Sequence, residues 1–385
     1  MNTTAPRLKV LTVVGTRPEI IRLSAVMKRL DEHVDHVLVH TGQNYDYELN
    51  EVFFEDLGLR RPDYFLQADT SSLGAVLGSI LVSIEKVLLK ERPDAFLILG
   101  DTNSSISAVI AKRLKIPVFH MEAGNRSFDE NVPEETNRRL VDHVADYNLV
   151  YTEHARRNLL AEGIHPSRIA LTGSPMAEVL AQTTKGREGN TVLQRENLKA
   201  GNYFLVSLHR EENVDNERRL SSVLQGLQEL QESYDIPVLI STHPRTRLRI
   251  ENLSREQREG LVFHKPFGFH DFLTLQANAK LVLSDSGTIS EESSILGFPA
   301  VTLRDAIERP EALDSGHIIT AGVEGLGMLR AARLAIETNV MPEGTPAPAG
   351  YEVTNTSLRV LNFIHSKASA HHALAGIRES PNHGR

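Results

Sequence analysis

His120-Met121-Glu122-Ala123-Gly124-Asn125-Arg126 follows the apolar run Ile116-Pro117-Val118-Phe119 and leads on to Pro133-Glu134-Glu135-Thr136-Asn137-Arg138. The apolar run has the composition of a short buried strand in a parallel sheet. A carboxylate just off the carboxyl end of such a strand points into the crevice where open α/β sheets bind ligands. Pro133 is suited to the first position of a helix. That helix carries Glu134 and Glu135 in its first turn and Arg138 and Arg139 one turn on. Glu122 and Glu134, from different elements, are therefore candidates to meet over one ligand with Arg138 beside them, the equipment of a proton-transfer site. The plainer alternative is that Glu134–Arg138 and Glu135–Arg139 are surface i,i+4 pairs worth roughly 0.2–0.5 kcal/mol each.

Working outward toward the N-terminus, Leu8 to Val14 is β-branched and apolar and ends at Gly15-Thr16-Arg17-Pro18. Pro18 starts a helix with Ile20, Ile21, Leu23, Val26, Met27 and Leu30 along one face. Strand, glycine turn and helix start form a geometry that receives phosphate, and Arg17 and Arg22 would add charge. The turn lacks a GxGxxG or P-loop fingerprint, so a simple βα turn is the competing reading. A second strand, Val37–His40, ends in the polar turn Thr41-Gly42-Gln43-Asn44-Tyr45-Asp46. Helical periodicity follows over 47–57 and 73–91. The run Ala95–Leu99 then ends at Gly100-Asp101-Thr102-Asn103, where Asp101 reads either as a helix N-cap or as a further carboxylate at the crevice. Short strands at Tyr147–Tyr151 and Ile169–Gly173 complete a βα series, and such alternation implies a parallel sheet.

Composition turns polar and glycine-rich between Ala181 and Lys199, which marks a domain boundary. The alternation then restarts. Phe204–Leu208 leads to His209-Arg210-Glu211, Val238–Ser241 to Thr242-His243-Pro244, and Leu261–Phe263 to the Lys265-Pro266-Phe267 turn. Leu281–Ser284 leads to Asp285-Ser286-Gly287 and a helix through Glu292. Ser286 and Gly287 offer a second turn whose small side chains leave amides open to phosphate. Glu292 is placed to accept bonds from ribose hydroxyls. His209 and His243 stand at equivalent strand ends, where either could act as an acid or hold an anion. The run Pro299–Leu303, then Arg304 and Glu308-Arg309-Pro310-Glu311, closes the domain, and a last helix is expected between Thr354 and Leu374.

A chain of 385 residues exceeds one ordinary core, so two domains are expected. The net charge of −8 disfavours a nucleic-acid surface without excluding a local basic pocket for an anionic small molecule. There are no cysteines, which removes disulfides, thiolate metal sites and cysteine nucleophiles. The histidines are scattered without metal-ligand spacing, so no metal is proposed. No apolar stretch approaches the roughly 18 residues of a membrane span, and the N-terminus lacks a signal-peptide core, so a soluble, cytoplasmic protein is expected.

Assembled in order from Leu8 to Glu311, the motifs Gly15-Thr16-Arg17-Pro18-Glu19, Gly100-Asp101-Thr102, Glu122-Ala123-Gly124, Pro133-Glu134-Glu135-x-Asn137-Arg138, His209-Arg210-Glu211, Asp285-Ser286-Gly287 and Glu308-Arg309-Pro310-Glu311 resemble those of the non-hydrolysing UDP-N-acetylglucosamine 2-epimerase family. The resemblance implies an α/β chain of two Rossmann-like domains whose parallel sheets face a cleft, as in GT-B glycosyltransferases. The domains are expected over residues 1–182, carrying the acid/base groups, and 200–353, binding UDP, with 354–385 packing back on the first.

It also implies C2 epimerisation of a UDP-2-acetamido sugar, in which UDP is eliminated and re-added while the C2 proton exchanges, supplying sugars for surface polysaccharide or related glycans. Asp101, Glu122 and Glu134 match the family's catalytic carboxylates. Arg17 and His209 match positions that hold the pyrophosphate, Ser286 and Gly287 its phosphate turn, and Glu292 its ribose contact. Arg138, His243 and Arg309 match other cleft positions, and Gln43 and His243 match positions at which substrate bound nearby regulates some relatives. No cofactor, nucleic-acid partner or membrane is implied; the partner is the UDP-sugar, and a homodimer is the family expectation.

The family's UDP-N-acetylglucosamine enzymes are expected to carry Lys where this chain has Arg22. With the 40–48 and Gly124–Phe128 segments, Arg22 looks more like the branch that converts UDP-2-acetamido-2,6-dideoxy-L-talose to UDP-N-acetyl-L-fucosamine. The alternative is a hydrolysing epimerase or a GT-B glycosyltransferase, sharing the fold and the UDP turn. A third class is a nucleotide-sugar sensor without activity, against which the intact carboxylate set counts.

Overall fold

The computed structural model describes residues 6–43, 53–183, 189–242, 244–250, 254–338 and 344–377. The chain divides into two compact units, one formed by Met1–Ala181 with Val353–Arg385 and the other by Gln182–Glu352.

The first unit runs β1 (Lys9–Val14), α1 (Arg17–His33), β2 (Asp35–His40), β3 (Tyr64–Phe65), α2 (Leu73–Glu91), β4 (Ala95–Leu99), α3 (Ala108–Arg113), β5 (Val118–Met121), α4 (Pro133–Val144), β6 (Tyr147–Val150), α5 (Glu153–Ala161), β7 (Ile169–Leu171) and α6 (Met176–Gln182). Its strands lie in the order β3-β2-β1-β4-β5-β6-β7, and every pairing is parallel. The chain moves outward from β1 to β3 and then returns to lay β4 on the other side of β1. That reversal leaves the loops after β1 and β4 diverging above the carboxyl ends of the strands, where open sheets receive ligands. One face of the strands is covered where Leu11, Val13, Phe96, Ile98 and Val118 are buried with Ile84, Val87 and Val141 from the flanking helices. Each such side chain contributes about 1.5–3 kcal/mol by leaving water.

The second unit repeats the plan with β8 (Phe204–Leu208), α7 (Glu217–Tyr234), β9 (Val238–Thr242), β10 (Leu261–His264), α8 (Phe269–Asn278), β11 (Leu281–Ser284), α9 (Ile289–Leu296), β12 (Ala300–Thr302), β13 (Ile319–Thr320) and α10 (Gly325–Glu337). Its strand order is β10-β9-β8-β11-β12-β13, with the reversal between β8 and β11. The chain then re-enters the first unit as α11 (Thr356–Ala368) and α12 (His371–Leu374). There Arg29 Nε donates to Ser357 Oγ at 2.6 Å, the Ser357 amide donates to Glu178 at 2.7 Å, and the Phe363 ring meets the Tyr147 ring edge-on at 5.7 Å.

Both Rossmann-like units agree with the expected α/β class of parallel sheets. Sequence periodicity did not register the edge strands β3 and β13, because strands of two residues carry no measurable alternation, and the thirteen-residue helix α10 was passed over as well. Of the helix expected over 47–57, residues 53–56 are helical; the rest lies outside the described residues, as does most of the 40–48 segment. Among the described residues, no helix is long and apolar enough to cross a membrane.

Candidate active site

The first unit gathers its candidate residues at the carboxyl ends of β1, β4 and β5. Thr16 caps α1, and Glu19, three residues on, reaches back to complete a capping box. The Glu19 carboxylate accepts from the amides of Gly15 at 2.8 Å and Thr16 at 2.7 Å, from Thr102 Oγ1 at 2.9 Å, and from Ser104 Oγ. The amides that the sequence offered to a phosphate at this turn are therefore held by a carboxylate of the same chain. Burial pushes the Glu19 carboxyl above the usual range, and its hydroxyl and amide donors only partly offset that. Gly15 has to be glycine, since a Cβ there would lie 2.3 Å from Thr41 Oγ1 and 2.7 Å from Gln43 Nε2. The close approach sets Gln43 over the same corner, where its Nε2 donates to Thr102 Oγ1 at 3.3 Å. Arg17, at the start of α1, is half-buried with its guanidinium 5.3 Å from the centre of the Phe53 ring.

After β4, Gly100 turns with φ +73 and Asp101 follows. The alternative of Asp101 as a helix cap is not taken. Thr102 is the cap, accepting from the Ser104 amide, while Asp101 accepts from Arg138 Nε at 3.0 Å and from Arg138 Nη2. Arg138 also donates to Glu135 at 2.6 Å, and Arg139 meets Glu135 at 3.1 Å. Arg138 thus links α4 to the β4 strand end, a bond that an i,i+4 reading of α4 alone does not foresee. Burial would raise the Glu135 carboxyl, but the Ser127 amide and Arg138 hold it below the usual range. Glu134 is half-buried in the first turn of α4.

After β5, Glu122 adopts φ +64, in the left-handed region, and its carboxylate takes the Arg22 guanidinium from α1. Both side chains are nearly inaccessible, at 7% and 4% exposure. Such a buried ion pair is held by its geometry, and losing one member leaves an uncompensated charge. A non-glycine residue at this φ costs on the order of 1–3 kcal/mol and persists only where its surroundings fix it. A methyl placed on Gly100 would sit 3.9 Å from the Glu122 carboxylate, so that carboxylate lies over the residue preceding Asp101. The structure brings Asp101, Glu122, Arg22, Arg138 and Gln43 to one sheet edge.

The second unit builds its cluster between β8 and β11, which are neighbours in register from Leu281↔Phe204 to Ser284↔Ser207. Asp285, fully buried, accepts from the amides of His209 and Arg210 and from Asn213 Nδ2, each at 3.1 Å, while His209 Nδ1 lies 2.9 Å away. Burial alone would raise this carboxyl; the His209 ring and the donors around it bring it below the usual range. With Nδ1 on the carboxylate, Nε2 is the outward nitrogen of a ring that is 41% exposed.

In the turn before α9 the Ser286 amide donates to Ser284 Oγ at 3.0 Å and the Thr288 amide to Ser286 Oγ at 3.3 Å. The Ser286 amide, expected to be open, is therefore used within the turn. Arg309 Nη1 donates to the Gly287 carbonyl, and a Cβ on Gly287 would lie 2.9 Å from it. Glu292, 8% exposed, accepts from Gln276 Nε2 at 2.7 Å. His209, Ser286, Gly287 and Arg309 are brought together around Asp285, and His243 lies outside the described residues. The sequence reading passed over Glu19, Glu135 and Asp285 as site components. The Thr-x-x-Glu spacing signals Glu19, and Asp285 carries the same strand-end signal as Glu122, while its partners, which come from the end of β8, carry none. Among the described residues no group of His, Asp and Glu is arranged to hold a metal.

A family model described as UDP-N-acetylglucosamine 2-epimerase matches residues 28–365. The UDP-N-acetylglucosamine 2-epimerase of Methanocaldococcus jannaschii is 40% identical over 343 residues, which cover 86% of this chain and 92% of that protein. The UDP-N-acetylglucosamine 2-epimerase of Rickettsia bellii superposes with a TM-score of 0.91 at 42% identity, covering 97% of this chain and 100% of the other. The M. jannaschii enzyme in complex with UDP-GlcNAc and UDP superposes with a TM-score of 0.85 at 37% identity, covering 94% and 100%.

Proposed function

The chain belongs to the UDP-N-acetylglucosamine 2-epimerase family, and from that premise we propose that it inverts C2 of a UDP-2-acetamido sugar by eliminating and re-adding UDP. It is an isomerase of the non-hydrolysing kind. The C2–H bond breaks, its electrons form the C1–C2 double bond, and the C1–O bond breaks so that UDP leaves with that electron pair. UDP then re-adds at C1 while C2 takes a proton on the opposite face, and the sequence is balanced without oxidant or reductant. Proton removal on one face and delivery on the other call for two acid/base groups. Asp101, Glu122 and Glu134 in the first unit are the proposed carboxylates. The single observation that carries this reading is the placement of Asp101 and Glu122 on adjacent strand ends, with Arg22 and Arg138 bonded to them.

The leaving diphosphate gains negative charge as it departs, and cationic groups favour that. Arg17 and His209 are proposed to hold it, with the Ser286–Gly287 turn and Arg309, and Glu292 is proposed to accept from the ribose. Gln43 and His243 are proposed substrate contacts. The similarity to the M. jannaschii enzyme, whose structure is a complex with UDP-GlcNAc and UDP, supports assigning a UDP-sugar as the ligand of this chain. A homodimer acting on this soluble substrate completes the proposal.

Arg22 favours a second reading of the sugar. A planar guanidinium donates over a wider front than the point charge of Lys, and here it is committed to Glu122. The resemblance of Arg22, with the 40–48 and Gly124–Phe128 segments, to the 6-deoxy branch is the ground for proposing a substrate of the L-talo/L-fuco type. Proton NMR in D2O with each substrate tests both points. Deuterium at C2 with UDP still attached is expected, and the faster substrate identifies the sugar. Release of free UDP without an epimer would replace epimerisation by hydrolysis.

A further inference from the structure

Behind the Glu122 turn lies a buried polar chain to which the proposed reaction gives no part. His120 stands on β5 two residues before Glu122, and its side chain is fully inaccessible. Its Nε2 is 2.8 Å from the Gly100 carbonyl. A carbonyl only accepts, so Nε2 carries the hydrogen. The Gly100 amide in turn donates to the Met121 carbonyl at 3.0 Å, so both polar groups of Gly100 are tied to β5.

On the other side of the ring, Nδ1 lies 2.9 Å from Asp142 Oδ1 without a hydrogen bond between them, a contact that attracts only when Nδ1 also carries a hydrogen. Asp142, on α4 and also fully inaccessible, accepts from the Gly124 amide at 3.1 Å and from Arg126 Nη1 at 2.7 Å. Arg126 then forks onto Glu162 at 2.7 and 2.6 Å. The residue after Gly100 is Asp101 and the residue after Met121 is Glu122, so both carboxylates stand one peptide from the clamp. The Gly124 amide fixes the far side of the Glu122 turn.

We infer that His120 is a positioning residue that sets Asp101 and Glu122 at a common height by clamping the β4 end to the β5 end, with Asp142 holding the Gly124 side of the same turn. The inference rests on the proposed role of these carboxylates. The ring is shut away from solvent beneath the strand ends, which suits it to holding other groups in place. Its effect is on where two other groups stand, and misplacement on the scale of an ångström costs about a hundredfold in rate.

The test compares His120→Asn with His120→Gln. The Gln amide nitrogen reaches the position of Nε2 and keeps the bond to Gly100; the Asn amide nitrogen reaches only the position of Nδ1. For purified enzyme we expect kcat for C2 deuterium exchange to fall about a hundredfold in His120→Asn and to recover in large part in His120→Gln. KM and UDP affinity are expected to be unchanged in both, with the thermal midpoint of His120→Asn matching that of His120→Gln.

A His120→Asn enzyme as fast as wild type overturns the inference and leaves the proposed function standing. Equal losses in both variants, accompanied by lost UDP affinity or a lowered thermal midpoint, also overturn it, in favour of a purely structural ring. Absence of exchange in the wild-type enzyme overturns the proposed function and this inference with it.

Discussion

Glu122 sits where glycine would be cheapest, at φ +64, and its carboxylate meets the Arg22 guanidinium out of water. Replacing it by Gln removes the charge and keeps the shape. We expect Glu122→Gln, and likewise Asp101→Asn, to abolish turnover while UDP still binds, as read by deuterium exchange alongside calorimetric UDP titration. Near-normal exchange in both would end the proposed acid/base roles. Arg17→Ala is expected to weaken UDP binding, since its cation would be lost from the start of α1; unchanged affinity would remove it from the diphosphate site. The placement of Asp101 and Glu122 at strand ends was legible because each closes an apolar run. Their partners were not: Arg22 lies a hundred residues before Glu122, and Arg138 comes to Asp101 from another element. Chain separation hides such pairs, because no local period connects them.

At the scale of elements, the turn from β5 into the following loop is locked by α5. Gly124 has φ +81, and a Cβ on it would lie 2.3 Å from the Ala155 carbonyl. Asn158 Nδ2 adds a bond to the Gly124 carbonyl at 2.9 Å. Gly124→Ala is therefore expected to destabilise the fold by about 2 kcal/mol or more and to shift Glu122. Denaturant unfolding with a parallel kcat measurement checks this, and a variant with wild-type stability would show that α5 yields. The helices α1 and α4 were legible from their starts, through Thr16-x-x-Glu19 and Pro133. What their amides and carboxylates bind was decided elsewhere. Glu19 fills the turn that the sequence left open to phosphate, because Thr102 and Ser104 come up beside it from the β4 loop.

Over the whole molecule, titration follows burial where no charged partner or hydrogen-bond donor opposes it. His40 is buried beside Phe65, with ring centres 5.0 Å apart, and burial pushes its imidazole down to about 4. Its folded value lies below its unfolded one near 6.5. The stability from the neutral ring is therefore present above about pH 6.5 and is lost as the pH falls toward 4, a loss on the order of 3 kcal/mol. Asp285 is also held below its ordinary value, so its contribution is present above that value and is lost as the pH falls further. Glu19 has the opposite sign: its raised carboxyl favours folding while protonated, and that contribution fades as the pH rises through its folded value. Denaturant unfolding between pH 7 and pH 4 should show a slope that His40→Phe flattens, and an unchanged slope would assign the loss to other groups. The sequence by itself determined the α/β class, the succession of strands and helices, and which residues stand at strand ends, because hydrophobic period and turn chemistry are local properties. The tertiary structure alone decided strand order and the partners of each buried charge. Those follow from which surfaces exclude water together, and that is settled by chain segments far apart in sequence.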